Sequence, residues 1–239
     1  MKFIPYIIKE ENIMAKLKWD QVSQHLYETG VDQVVLYKRT GPGRWIGTAW
    51  NGVTSIEDNP EGAEANEQYA DNILYLNLIS AEKWKGVIKA FTYPEEFNEC
   101  MGARTLIKGV YGAQQTHTRF NLCYRTIIGN DIDGNEYGYA LHLVYNCTAA
   151  PSQQAHNTVN DSPEATEFSW DLSSIPVHVT GLKAPTSTIV IKSTEVDSAK
   201  LTAIETILYG EDATSTGDAG VDPRMPLPDE IISIMNAAG

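Results

Sequence analysis

From Tyr137 to Cys147 the chain alternates without a slip. Tyr137, Tyr139, Leu141, Leu143, Tyr145 and Cys147 fall on one face, and Gly138, Ala140, His142 and Asn146 on the other. A side-chain period of two is the signature of a β-strand. A strand this long needs neighbours to satisfy its backbone, so it commits the chain to a sheet. Arg119 to Ile128 repeats the pattern, with Phe120, Leu122 and Tyr124 opposed to Arg119, Asn121 and Arg125, and Asp133-Gly134 supplies the turn between the two runs. Gly30 to Arg39, with Val34, Val35, Leu36 and Tyr37, reads as another strand. Gly41-Pro42-Gly43 turns the chain after it. Asn51-Gly52 is a strong two-residue hairpin signal and predicts that the segment ending at Trp50 pairs with Val53 to Glu57.

The stretch Gln68 to Cys100 holds two further apolar runs. Leu74, Leu76 and Leu78 share a face, with Tyr75 and Asn77 opposite. Trp84, Ile88 and Ala90 share a face of the second run, with Lys85, Val87, Lys89, Phe91 and Tyr93 opposite. Ser80-Ala81-Glu82-Lys83 forms the corner that joins them as a strand pair. Apolar residues on both sides imply that both faces are covered, by another layer or by a neighbouring subunit. Pro94 ends the ladder for lack of an N–H. Glu95-Glu96-Phe97 opens a short helix. Before the pair lies an acidic loop, Glu57 to Asn72, with six Asp or Glu in sixteen residues.

Residues 100–118 read as loose, and Thr148 to Ala165 as a long polar loop. Glu167 to Ser173 alternates, Val177 to Val179 continues it, and Ile189 to Ile191 is a short strand. The period then changes: Asp197 or Ser198 caps a helix lined by Leu201, Ile204 and Leu208 and closed by Gly210. Glu211 to Pro228 reads as an extended arm, and Asp229 as the cap of a last short helix. The predicted class is mainly β (α+β): two packed antiparallel sheets or a partly closed barrel with a flanking helix. The expected organisation is an upstream extension at 1–13, a β domain at 14–210 carrying the loop 57–72, and a C-terminal arm and short helix at 211–239.

The first thirteen residues do not read as a signal peptide, because the apolar part is short, broken by Pro5 and followed by acids. Lys9-Glu10-Glu11 is encodable as a ribosome-binding sequence ahead of Met14, which places the expected start of translation at Met14. The net charge of −13 argues against general nucleic-acid binding, which needs clustered Lys and Arg. No run approaches the roughly 20 apolar residues of a membrane span. Cys100, Cys123 and Cys147 show no CxxC spacing and are expected to be reduced, in a cytosolic compartment.

The search for chemistry returns little. Gly41 to Gly47 has glycines, but it leads to a strand instead of the helix that a phosphate loop requires. Asp131 to Asn135 lacks the spacing and closing Glu of a calcium loop. The five histidines show no metal-ligand spacing, and His142 and His178 read as structural. No GxSxG surrounds any serine. The expectation is a protein without catalytic, cofactor or metal residues. Two other classes compete. Trp45, Trp50, Trp84 and Trp170 offer stacking faces to a carbohydrate-binding or adhesive β module, although strand positions favour core packing. A glycosidase would need two paired loop carboxylates.

A set of strings gives a resemblance. Trp50-Asn51-Gly52-Val53-Thr54-Ser55, Pro60-Glu61-Gly62, Tyr69-Ala70-Asp71-Asn72, Ser80-Ala81-Glu82 and Thr92 to Phe97 come first. Leu122 to Thr126, Tyr139 to Tyr145, Asn160 to Ala165 and Leu227 to Glu230 follow in order. Together they resemble the major tail proteins of long-tailed, non-contractile bacteriophages, over roughly residues 14 to 232. The resemblance implies a tail-tube-like fold of two β sheets with a flanking helix. It implies hexameric rings that stack around a tape-measure protein, meet tail terminator and distal tail proteins, and conduct DNA without binding it specifically. It places the protein in the virion tail, and in the host cytoplasm during assembly. On this footing Glu57, Asp58, Pro60, Glu61, Gly62, Glu64, Glu67, Tyr69 and Asp71 are expected to form an inter-ring contact loop. Leu74, Leu76, Leu78, Trp84, Ile88 and Phe91 are expected to form an inter-subunit strand pair. A negative lumen would repel phosphate and let DNA slide.

Overall fold

Val34, Val35, Leu36 and Tyr37 are four consecutive buried residues on one strand. Alternation sends Val34 and Leu36 into one hydrophobic cluster and Val35 and Tyr37 into another. A strand buried on both faces needs a layer on each side, and the architecture follows from that. The computed structural model describes residues 16–152, 154, 156, 158, 165–213 and 219–237. The expected extension at 1–13 lies outside them, as does part of the expected loop 148–165.

The elements are β1 (Tyr27–Gly41), β2 (Arg44–Ala49), β3 (Val53–Asp58), β4 (Ala65–Ala70), β5 (Ile73–Ile79), β6 (Lys85–Ala90), α1 (Phe97–Cys100), β7 (Arg104–Ile107), β8 (Val110–Gly112), β9 (Phe120–Asn130), β10 (Gly134–Ala149), β11 (Phe168–Ser174), β12 (Thr188–Lys192), α2 (Ser198–Tyr209) and α3 (Pro228–Asn236). The main sheet runs β2-β1-β9-β10-β11-β6-β3, with β12 also on β10, and every pairing is antiparallel. The sheet folds over itself through β10, whose end takes β11 while its middle takes β12. The mainly β class is as predicted. The path ends at β2 and β3 without closing, so the sheet is not a closed barrel.

The first cluster lies inside this fold. Leu36, Phe120, Leu122, Tyr124 and Val144 meet Ile88, Trp170, Leu172 and Phe97 there. Phe97 packs edge-on against Phe120 at 5.5 Å and Trp170 at 5.2 Å, and Trp50 stands 4.5 Å from Phe97. The second cluster lies under the helices, where Leu141, Leu143 and Tyr145 face Leu201, Ile204, Leu208 and Ile231. Each such side chain contributes about 1.5–3 kcal/mol by leaving water. Two of the cluster's buried hydroxyls find backbone acceptors: Tyr37 donates to Leu208 O at 2.7 Å and Tyr145 to Pro226 O at 3.1 Å. Burial pushes both phenols well above their ordinary pKa. Helix α2 starts as read, with the Asp197 carboxylate accepting from the backbone N–H of Ala199 and Lys200. Gly210 closes it at φ 81.

Five expectations need correction. The Asn51-Gly52 turn makes no hairpin: β2 pairs with β1 and β3 with β6, at opposite edges of the sheet. Trp50 decides this, because its buried indole donates to Thr92 O and carries the chain across the core. The regular alternation of β10 breaks at Asn146, whose φ of 58 marks an irregularity in the register with β9. Tyr145 therefore faces the helix-side cluster and Cys147 the other. Residues 100–118 are not loose; they include the ribbon β7–β8. The segment 221–227 is no free arm, since Arg224 N bonds Ile207 O, Pro223 O accepts from Gly47 N, and Met225 is buried. Asp229 does not cap α3; it lies in the first turn and accepts from Thr180 N and Oγ1.

Candidate assembly surface

The largest departure from the expected pairing is also the best candidate site. β5 does not pair with β6. It pairs with β4, which forms inside the stretch read as an acidic loop, and the two make a ribbon separate from the main sheet. The local chemistry explains the ribbon. Asp71 and Asn72 sit at φ 51 and 62, the left-handed pair required by a tight hairpin turn, and Asp and Asn tolerate that region best. At the base, Gly62 has φ 100 and a Cβ there would meet Ala81 O at 2.4 Å, so glycine is required.

The base is fastened to the body by the acids closest to it. Lys85 Nζ meets Glu61 at 2.6 Å and Lys89 Nζ meets Glu57 at 2.8 Å. The Asp58 carboxylate accepts from Trp84 Nε1 and from the Tyr124 hydroxyl, each at 3.2 Å. Glu61 and Lys83 exchange backbone bonds, and Ser80 N donates to Glu64 O. The remaining acids point elsewhere. Glu67 accepts from Tyr69, and Glu64 and Asp71 make no ion pair among the described residues. Of the expected contact loop, then, Glu57, Asp58 and Glu61 anchor the base. Pro60, Glu64, Glu67, Tyr69 and Asp71 are exposed.

The ribbon itself has no cover. Leu74, Leu76 and Leu78 are 48%, 48% and 54% exposed on one face, and Ile73, Tyr75 and Ile79 are 61%, 65% and 71% exposed on the other. An isolated two-stranded hairpin is marginal in water, and contiguous apolar surface of this kind marks an interaction site. The expected inter-subunit pair is thereby divided. Leu74, Leu76 and Leu78 are free to dock, and Phe91 is half exposed. Trp84 and Ile88 belong to the chain's own core, because β6 is already paired on both sides, by β11 and β3.

Two further apolar extensions escaped the sequence reading. β7–β8 exposes Leu106, Ile107, Val110 and Tyr111. Its signal was present: a short apolar run on either side of Lys108-Gly109, with Gly109 at φ 83. The segment before β1 exposes Leu17, Trp19, Val22 and Leu26. It is held by Asp131, which accepts from Ser23 N at 3.2 Å and lies 3.2 Å from His25 Nδ1.

The interior offers little reactive chemistry. Cys100, Cys123 and Cys147 are free and buried, and burial pushes the first two thiols up to about 12. His142 stacks flat on Tyr124 at 4.6 Å. Burial holds its pKa below the ordinary value, although the Glu28 and Asp58 carboxylates act the other way. Trp50, Trp84 and Trp170 are buried, while Trp45 is partly accessible. Among the described residues no group of three His, Cys, Asp or Glu is placed to hold a metal ion, and no helix is long and apolar enough to cross a membrane.

No protein-family model and no curated protein matches the chain. Among solved structures it is similar to a chain of the anti-feeding prophage baseplate, determined by cryo-electron microscopy with six-fold symmetry applied. The two are 8% identical, with a TM-score of 0.37, over 75% of this chain and 100% of that one. A TM-score of that size fixes neither fold nor role.

Proposed function

We propose that this chain is a structural subunit of a virion, the repeating unit of a bacteriophage tail tube. In that reading, copies join in hexameric rings, the rings stack around a tape-measure protein, and terminator and distal tail proteins close the ends. DNA passes through the bore without specific contact, and the chain has no catalytic role. The observation that carries the proposal is the β4–β5 ribbon, apolar on both faces and covered by neither layer of its own chain. A ribbon of this kind is stabilised when a second chain covers it. The sheet edge at β3 likewise leaves backbone groups for an incoming partner, whereas β2 is already met at Gly47 by Pro223. The net charge of −13 suits a bore that repels phosphate. The resemblance of strings across the sequence supports the particular family.

The carbohydrate-binding alternative loses most of its basis, because three of its four tryptophans are core residues. Electron microscopy of the concentrated full-length protein, with sedimentation velocity, tests the proposal. Rings or tubes with a central hole are expected. A monodisperse monomer at every concentration overturns it.

A further inference from the structure

A groove of about 420 Å³ lies where β1 turns into β2, beside the start of β9 and the segment entering α3. Arg39, Trp45, Arg119, Asn121, His178 and Asp229 give it its chemistry. The chain carries 31 acidic against 18 basic side chains, so a groove lined by two arginines departs locally from its overall charge. Arg39 and Arg119 make no ion pair among the described residues, whereas Lys38, Lys85, Lys89, Arg104, Arg125, Lys192 and Arg224 all do.

The two arginines sit in a built setting. The Arg119 guanidinium donates to Asn146 Oδ1 at 3.2 Å, and Asn146 N donates to Asn121 Oδ1 at 2.7 Å. Asn121 is only 3% exposed, so this bond holds Arg119 and Asn146 against a buried side chain. The Arg39 guanidinium stands 6.0 Å from the centre of the Trp45 ring. Asp229, the acid on the rim, is occupied by Thr180 N and Oγ1. The groove therefore presents convergent donors beside an aromatic wall. It fits a carboxylate flanked by apolar side chains.

The tip of the β4–β5 ribbon has that composition: Tyr69-Ala70-Asp71-Asn72-Ile73. Tyr69 and Ile73 are exposed, and the Asp71 carboxylate makes no ion pair among the described residues. We infer that the ribbon tip of one copy docks in the Arg39–Arg119 groove of the next. The Asp71 carboxylate meets the guanidiniums, with Tyr69 and Ile73 against Trp45. Carboxylate and guanidinium form strong charge-assisted hydrogen bonds. Donor and acceptor are different patches of the same surface, so the contact is heterologous and propagates from copy to copy. This inference rests on the subunit reading above and names the partner surface of its ribbon.

The test uses full-length protein. Copies carrying Ala70→Cys are mixed with copies carrying Leu227→Cys, on the groove wall, and treated with a short bismaleimide. The native cysteines are all buried. A covalent heterodimer is expected, and none when the second cysteine is placed at Glu195 instead. In parallel, Arg119→Glu raises the concentration for half-maximal assembly about tenfold, and adding Asp71→Arg to the same chain restores it. Wild-type tubes without cross-linking, and with Arg119→Glu unshifted, overturn the groove and leave the subunit reading standing. Cross-linked pairs in protein that never polymerises keep the groove and overturn the subunit reading. If the heterodimer is absent and a DNA oligonucleotide binds wild type but not Arg119→Glu, the groove holds phosphate and the inference fails.

Discussion

The strands β1 and β5 carry similar apolar residues and meet opposite fates. In β1, Val34 to Tyr37 are buried on both faces by layers of the same chain. In β5, Ile73 to Leu76 are exposed on both faces. Hydrophobic content does not separate them. What separates them is whether the chain supplies a second and third layer at that place. β1 sits between the fold-over of β11, β6 and β3 and the helices α2 and α3. The β4–β5 ribbon stands beyond the sheet edge, where a covering layer has to come from another molecule. The body is therefore stabilised by its own packing, and under the proposed function the ribbon is stabilised by association.

The largest effect expected of that contrast follows from removing the ribbon. Glu64 and Ser80 are joined by a backbone hydrogen bond, so residues 65–79 can be replaced by a short Gly-Ser link. Polymerisation should be abolished while the melting curve of the monomer hardly moves. Loss of folding would instead break the division between body and ribbon. Next in size is Trp170→Ala in the body, expected to cost about 3–5 kcal/mol in urea unfolding. Tyr75→Ala, a comparable truncation in the ribbon, should stay within about 0.5 kcal/mol in the monomer and show its effect in assembly. A smaller change is Asp197→Ala, which removes the cap of α2 and should cost about 1 kcal/mol without altering the assembly midpoint of the folded protein.

The smallest effect concerns pH. Burial lowers the His142 pKa in the folded chain below its free value of 6.5, against the pull of Glu28 and Asp58. Below that value the unfolded chain binds the proton more readily than the folded one. His142 therefore adds stability that is complete above 6.5 and declines as pH falls toward the lower folded value. His142→Gln should flatten that part of the stability profile. An unchanged slope would remove His142 from the account.

Much of the body was legible in the sequence because local pattern and final environment agree there. The period of two in 119–128 and in most of 137–147, and the capped helix at 198–209, needed only alternation and end signals. The misreadings occurred where a distant contact decides. The Asn51-Gly52 turn resembles a hairpin until Trp50 is seated against Phe97 and Trp170. The slip at Asn146 follows from the change of partner on β10, from β12 to β11. In the candidate site, the acidic residues and the three leucines were identified, but their pairing was not. Asp71-Asn72 carries a turn signal inside a stretch whose acidity reads as a loop, so β4 went unnoticed and β5 was assigned to β6.

By itself, the sequence determined most strands of the body, the capped helix and the antiparallel class, since each depends on residues close along the chain. Only the tertiary structure decided which strands pair and which apolar faces stay open. It also brought Arg39, Arg119 and Asn121 together at one groove. Those outcomes depend on contacts between residues far apart in sequence, and the competition among such contacts is settled only when the whole chain packs.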